Sequence, residues 1–185
     1  MRCRLRVLQL VLGIATFACA LSLLTVASAE SPECSYDREA MLSLEQNAFD
    51  QDMKGGWRAL ADRGCLAEAA DLIRDYRLRQ KPQMGTSQSI ILYWHEGQTR
   101  ALLGENDAAI MLFDHSRAIG KGAAAWNLYV DATIFFLKQD RAALLVARDA
   151  MVSLGSSPNL TVVENLLACF GRTYKEGYSG CKHED

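Results

Sequence analysis

Apolar positions along the chain recur with the period of helices. Ala69, Leu72, Ile73 and Tyr76 fall at i, i+3, i+4 and i+7, which predicts a helix over 66–78. Ile90, Tyr93 or Trp94, Gly97 and Ala101 make a similar stripe over 89–103. Ala109, Leu112, Phe113 and Ser116 do so over 107–119, with Asp107 as the expected cap. Residues 124–138 and 140–154 form a further pair with almost no room between them, so these two helices must be antiparallel neighbours. Before these come a helix over 38–48 capped by Asp37, a loop over 49–56 broken by Gly55-Gly56, and a short helix over 57–62 ended by Gly64. Lys81 to Ser87 reads as a linker, as do Gly120 to Gly122 and Gly155 to Pro158. A last helix, opened by Asn159 or Thr161 and running to about Phe170, covers the preceding pair with Val162, Val163, Leu166 and Leu167. Strand-like alternation is absent and there are three prolines, so the predicted fold class is all-α.

The small residues sharpen this picture. Gly97, Gly104 and Ala109 stand where two antiparallel backbones approach, with Phe113 beside them. A shift of 34 residues brings Ala109 to Ala143 and Phe113 to Ala147. A period of this length in helix pairs marks a solenoid. The pattern resembles the tetratricopeptide repeat over roughly residues 50–154, with Tyr93 or Trp94 near that repeat's early tryptophan. Trp57, Gly64, Ala69 and Ile73 fit the pair before it, with a six-residue excess, while Asp131 and Lys138 stand where glycines are expected in the pair after it. The stretch 49–65, containing Gly-Gly-Trp-Arg-Ala-Leu-Ala, is also similar to exported bacterial proteins of unassigned role.

The resemblance implies a short right-handed α-solenoid of about three antiparallel helix pairs with a capping C-terminal helix. In such proteins the first helix of each pair lines a concave groove that receives an extended peptide or a helix. Carried over by position, the groove residues are Arg58 and Asp62, then Trp94, His95 and Gln98, then Leu128, Tyr129 and Ala132. Aromatic residues and arginine are what binding hot spots use. Bulky residues at helical spacing are equally what a core uses, so Trp94 and Tyr129 carry both readings.

The first 29 residues set the expected compartment. Arg2, Arg4 and Arg6 precede an uncharged run from Val7 to Val26, and Ala27-Ser28-Ala29 offers small residues for cleavage before Glu30. Residues 1–29 therefore read as a cleaved signal peptide and 30–185 as one helical domain, periplasmic or secreted, with no stable membrane anchor after cleavage. A retained anchor and a lipoprotein at Cys19 are weaker alternatives. The leader removes three arginines, leaving 17 basic against 22 acidic residues, net −5. This mild acidity without a Lys/Arg cluster speaks against a nucleic-acid partner. Cys34, Cys65, Cys169 and Cys181 remain. Four cysteines allow three connectivities, of which Cys34–Cys65 and Cys169–Cys181 are favoured because each ties a chain end to a nearby helix.

Catalytic motifs are incomplete. His95-Glu96-Gly97-Gln98-Thr99 begins like a zinc-protease helix but has Thr99 in place of the second histidine. His95 and His115 lie at similar distances from the turn near Glu105, which offers a remote zinc or copper set with Glu96. Solvated helix histidines are the commoner case, and the carboxylates read as scattered solvated residues. Gly120-Lys121-Gly122 lacks the rest of a phosphate loop, and Asn159-Leu160-Thr161 reads as a helix start rather than a glycosylation site. The expected function is that of a non-catalytic adaptor without cofactor or metal, binding an unidentified protein or peptide in the envelope. The alternative is an inhibitor or immunity-type protein that blocks a secreted or envelope enzyme, using the loop Phe49–Lys54.

Overall fold

A computed structural model describes residues 33–118, 120, 123–155 and 158–181. The predicted leader, Lys121-Gly122 and Ser156-Ser157 lie outside them. Regular structure among the described residues is helical throughout, with no strand. The elements are α1 (Arg38–Leu42), a π-helical turn (Asn47–Gln51), α2 (Arg58–Ala61), α3 (Leu66–Gln80), α4 (Thr86–Leu102), α5 (Asn106–His115), α6 (Ala123–Leu137), α7 (Arg141–Ser153), α8 (Leu160–Ala168) and α9 (Tyr174–Ser179).

Asp37 caps α1 as expected, its carboxylate accepting from the Ala40 N–H. The helix ends at Leu42, well short of the predicted residue 48. Ser43 Oγ turns back to the Glu39 carbonyl, and the chain then bends and rewinds as the π-helical turn. The cause is tertiary. The bend lays the fully buried Phe49 ring flat on Tyr76 at 3.7 Å, while the Tyr76 hydroxyl donates to the Leu44 carbonyl. The predicted loop 49–56 therefore begins as a packed element with Phe49 and Asp50 both buried.

Three hairpins close in the same way. A residue two or three positions past the end of each first helix is left-handed: Gly64 (φ 84°), Gly104 (φ 79°) and Gln139 (φ 58°). In each turn the next N–H bonds a carbonyl five residues back: Cys65 to Leu60, Glu105 to Arg100, Asp140 to Phe135. This is the Schellman closure, which satisfies carbonyls a helix end leaves orphaned. Corresponding atoms in the second and third turns are 35 residues apart, not 34. The register correction puts Ala132, fully buried, in the place of Gly97 and Leu144 in that of Ala109. It also places the left-handed residue at Gln139 rather than Lys138; the Gln139 amide steadies the turn by donating to the Phe136 carbonyl.

α1 and α2 pack on α3, and α4 lies between α3 and α5. α6 pairs with α7, α8 rests on both, and α9 packs on α8 and reaches across to α4. Two hydrophobic clusters result. One gathers Leu42, Phe49, Trp57, Leu60, Leu72, Ile73, Tyr76 and Leu92; the other, built from α4 to α9, centres on Trp94, Phe113, Tyr129, Phe136 and Tyr174. The favoured disulfides are both present, Cys34–Cys65 and Cys169–Cys181, with Cα separations of 5.5 and 5.7 Å. Among the described residues no helix is long and apolar enough to cross a membrane.

Candidate functional site

The face expected to form a groove belongs to α4 and α6. On α4 the indole of Trp94 is buried, with ring centroids of Phe113 and Tyr129 both at 4.6 Å and Trp126 at 5.0 Å. Gly97 makes this cluster possible. A Cβ there would sit 2.8 Å from the Phe113 ring, so only a bare Cα lets α5 approach α4 so closely. Trp126 is anchored from outside the cluster by donating its indole N–H to the Ser116 carbonyl at 2.7 Å.

The same face carries a short helix that the sequence reading did not place. Thr173 and Glu176 form a capping box that starts α9. Tyr174 then enters the face, its ring centroid 6.5 Å from Phe113 and 6.4 Å from Phe136. The half-buried Gln98 donates its amide to the Tyr174 hydroxyl at 3.4 Å. Three residues on, Gly177 meets the Phe136 ring and Leu166 so closely that a Cβ would lie 2.8 and 3.0 Å from them. Burial pushes the Tyr129 phenol well above the usual range, and the Tyr174 and Tyr178 hydroxyls raise it further. Tyr174 is raised likewise by burial, with the Gln98 hydrogen bond acting in the opposite sense.

The predicted groove residues are thus placed unequally. Trp94 and Tyr129 are in ring contact within the core, and Gln98 meets α9. Arg58 is half-buried at the start of α2, and Asp62 is exposed at its C-cap. His95 turns the other way, toward the first cluster.

There the structure reveals a charged centre that the pattern of solvated carboxylates concealed. Asp50, wholly buried on the π-helical turn, accepts at one oxygen from the Trp57 indole at 2.9 Å and pairs with His95 Nδ1 at 2.6 Å. Gln51 donates to its other oxygen, and Arg58 Nε donates to its main-chain carbonyl at 2.7 Å. Burial works to raise the Asp50 carboxyl, but the bonds from His95, Trp57 and Gln51 outweigh it and hold it below the ordinary carboxylate range. Glu96 is buried too, paired to Arg77 at 2.9 Å. Its burial outweighs the arginine and leaves its carboxyl raised. The Arg77 guanidinium lies 3.9 Å over the Tyr93 ring.

His115 points elsewhere, its Nδ1 on the Met111 carbonyl and its ring stacked on Tyr93 at 5.1 Å. The two histidines considered as metal ligands therefore serve separate contacts. Among the described residues the one group of possible ligating atoms is Cys34, Cys65 and Glu68, and there the two sulfurs are joined to each other. Two signals for these features stood in the sequence. One is Thr173-x-x-Glu176, the capping-box pattern of α9, and the other is the pair of glycines Gly177 and Gly180 just after it. Asp50 carried no such signal, because a polar run beside Gly-Gly reads as loop. No protein-family model, curated protein or solved structure matches the chain.

Proposed function

We propose that the protein is an exported, non-catalytic helical-repeat adaptor. Its architecture is a short right-handed tetratricopeptide-like solenoid whose first helices, α2, α4 and α6, form the face that binds a protein or peptide partner. Two recurrences support the architecture. The closing bonds of the second and third hairpin turns repeat at a 35-residue spacing, Glu105 to Arg100 and Asp140 to Phe135. So do two surface grooves, of about 530 Å³ beside α4 and α5 and about 370 Å³ beside α6 and α7. Each of the seven residues lining the second stands 35 positions after one lining the first, as Leu128 does after Tyr93, Asp131 after Glu96 and Val146 after Met111. The two disulfides fit an oxidising compartment such as the periplasm or the cell exterior.

The observation that carries the binding role is α9 itself. A six-residue helix seats on the α4–α6 face through one aromatic ring and one glycine, so this face is shaped to hold a helix. Gln98 contributes a polar contact there, and Arg58 with Asp62 offers opposite charges on the chain's first hairpin. The test is affinity capture from a native envelope fraction, comparing the parent with an Arg58→Ala/Gln98→Ala variant of unchanged helicity. The reading expects a defined protein captured by the parent and lost by the variant. Equal capture by both contradicts it.

A further inference from the structure

We propose that α9 is an autoinhibitory strap, a built-in occupant of the partner-binding face latched by the Cys169–Cys181 disulfide. The partner it stands in for is a short helix carrying an aromatic residue and, three positions later, a glycine. This rests on the reading of that face as a binding groove and adds its regulation and the chemistry of its ligand.

The contacts of α9 are those of a ligand more than of a solenoid helix. Only Tyr174 and Gly177 are buried, while Lys175, Tyr178 and Ser179 face outward. The fit is close at Gly177, where Phe136 and Leu166 admit no side chain. It is open at the other end. A cavity of about 250 Å³ runs beneath the entry to α9, lined by Ala101, Leu102, Gly104, Phe136 and Leu137 together with Tyr174 itself. The polar bond from Gln98 to Tyr174 is long at 3.4 Å. Both joints of the segment are glycines in the left-handed region, Gly171 (φ 89°) before it and Gly180 (φ 74°) after it. No neighbouring atom lies where a Gly171 side chain would go. The disulfide joins Cys169, the C-cap of α8, to Cys181 just past α9. It closes a loop of 12 residues that contains the whole strap, so the strap is never far from the face. A tether this short presents the strap at an effective concentration in the millimolar range. A free helix must outcompete it, and its apparent affinity is the intrinsic affinity multiplied by the fraction of molecules in which the strap is lifted.

The test uses full-length chains and a fluorescently labelled, acetylated peptide with the sequence of residues 172–180. The proteins are the parent, Cys169→Ser/Cys181→Ser, and Gly177→Leu, in which the strap cannot seat. The peptide is expected to bind Gly177→Leu at least tenfold more tightly than the parent, with the latch-free protein between them. Amide exchange in 174–180 should accelerate in both variants while α4 and α6 keep their protection. Peptide binding no tighter to Gly177→Leu than to the parent, despite a released α9, overturns the proposal. If either variant fails to fold, exchange in the parent decides. The strap requires α9 to open by a local route faster than α4 and α6, and exchange of all three only through global unfolding overturns it. Because the probe is the chain's own segment, this result does not depend on any cellular partner. If the peptide binds the unlatched chain but that chain captures nothing from the envelope, the strap stands and the adaptor reading falls.

Discussion

The two ends of the molecule are stabilised by different chemistry. Around α3 the core is threaded with charge. Asp50 and Glu96 lie buried, compensated by His95, Trp57 and Arg77, and Arg100 joins Asp71 to Glu105 at the margin. The second cluster, from Trp94 to Tyr174, is aromatic, and there the Phe113 and Phe136 rings lie where a Cβ at Gly97 or Gly177 would collide with them. The first region is specified by hydrogen bonds that must all be satisfied, the second by shape. Stability in the first should respond to pH, and in the second to side-chain volume.

The largest effect tests the aromatic side. Trp94→Ala removes the centre of three ring contacts and should cost about 4 kcal/mol, a loss that calorimetry would find equal at pH 5 and pH 7. Opening the disulfides tests both ends. On the chain-entropy model the 31-residue loop of Cys34–Cys65 is worth about 4 kcal/mol and the 12-residue loop of Cys169–Cys181 about 3 kcal/mol. Serine pairs introduced separately and compared by urea denaturation should show that order.

Asp50→Asn should cost about 3 kcal/mol at pH 7, since it leaves the imidazole and indole facing a partner without charge. The sign with pH follows from the lowered carboxyl. Its stabilising contribution is complete above the unfolded value near pH 4 and is lost as pH falls through the lower folded value. The parent should therefore lose stability more steeply than the variant on acidification below about pH 4. Parallel pH curves for the two proteins would erase the contrast between the regions. The smallest effect is expected at the outer surface. Val146→Ser, at a side chain 69 % exposed, should change stability by less than about 0.5 kcal/mol.

The helices of the middle of the chain were legible because small residues leave a spaced signature where backbones meet, and Gly97 and Ala109 both lie buried at that contact. The 35-residue spacing of the second and third turns was hidden because the third hairpin closes on Gln139, a left-handed residue that no glycine announces. The end of α1 was illegible for a different reason. The stacking of Phe49 on Tyr76 joins residues 27 positions apart and overrides local helix propensity. The groove residues divide along the same line. Trp94 and Tyr129 sit on the predicted helices at the predicted spacing. What could not be read was their enclosure, because it depends on where the tail returns. The pairing of Cys169 with Cys181 implied a return, but only Gly177 and Tyr174 together specify the face on which it lands.

That landing is the point on which the account turns, and nuclear Overhauser spectroscopy of the folded, oxidised protein reads it directly. Cross-peaks from the Tyr174 ring to both Phe113 and Phe136 are predicted, at the ring separations of 6.5 and 6.4 Å. A Tyr174 ring with no contact to either phenylalanine, in a chain whose α4–α5 and α6–α7 hairpins are otherwise intact, would contradict it.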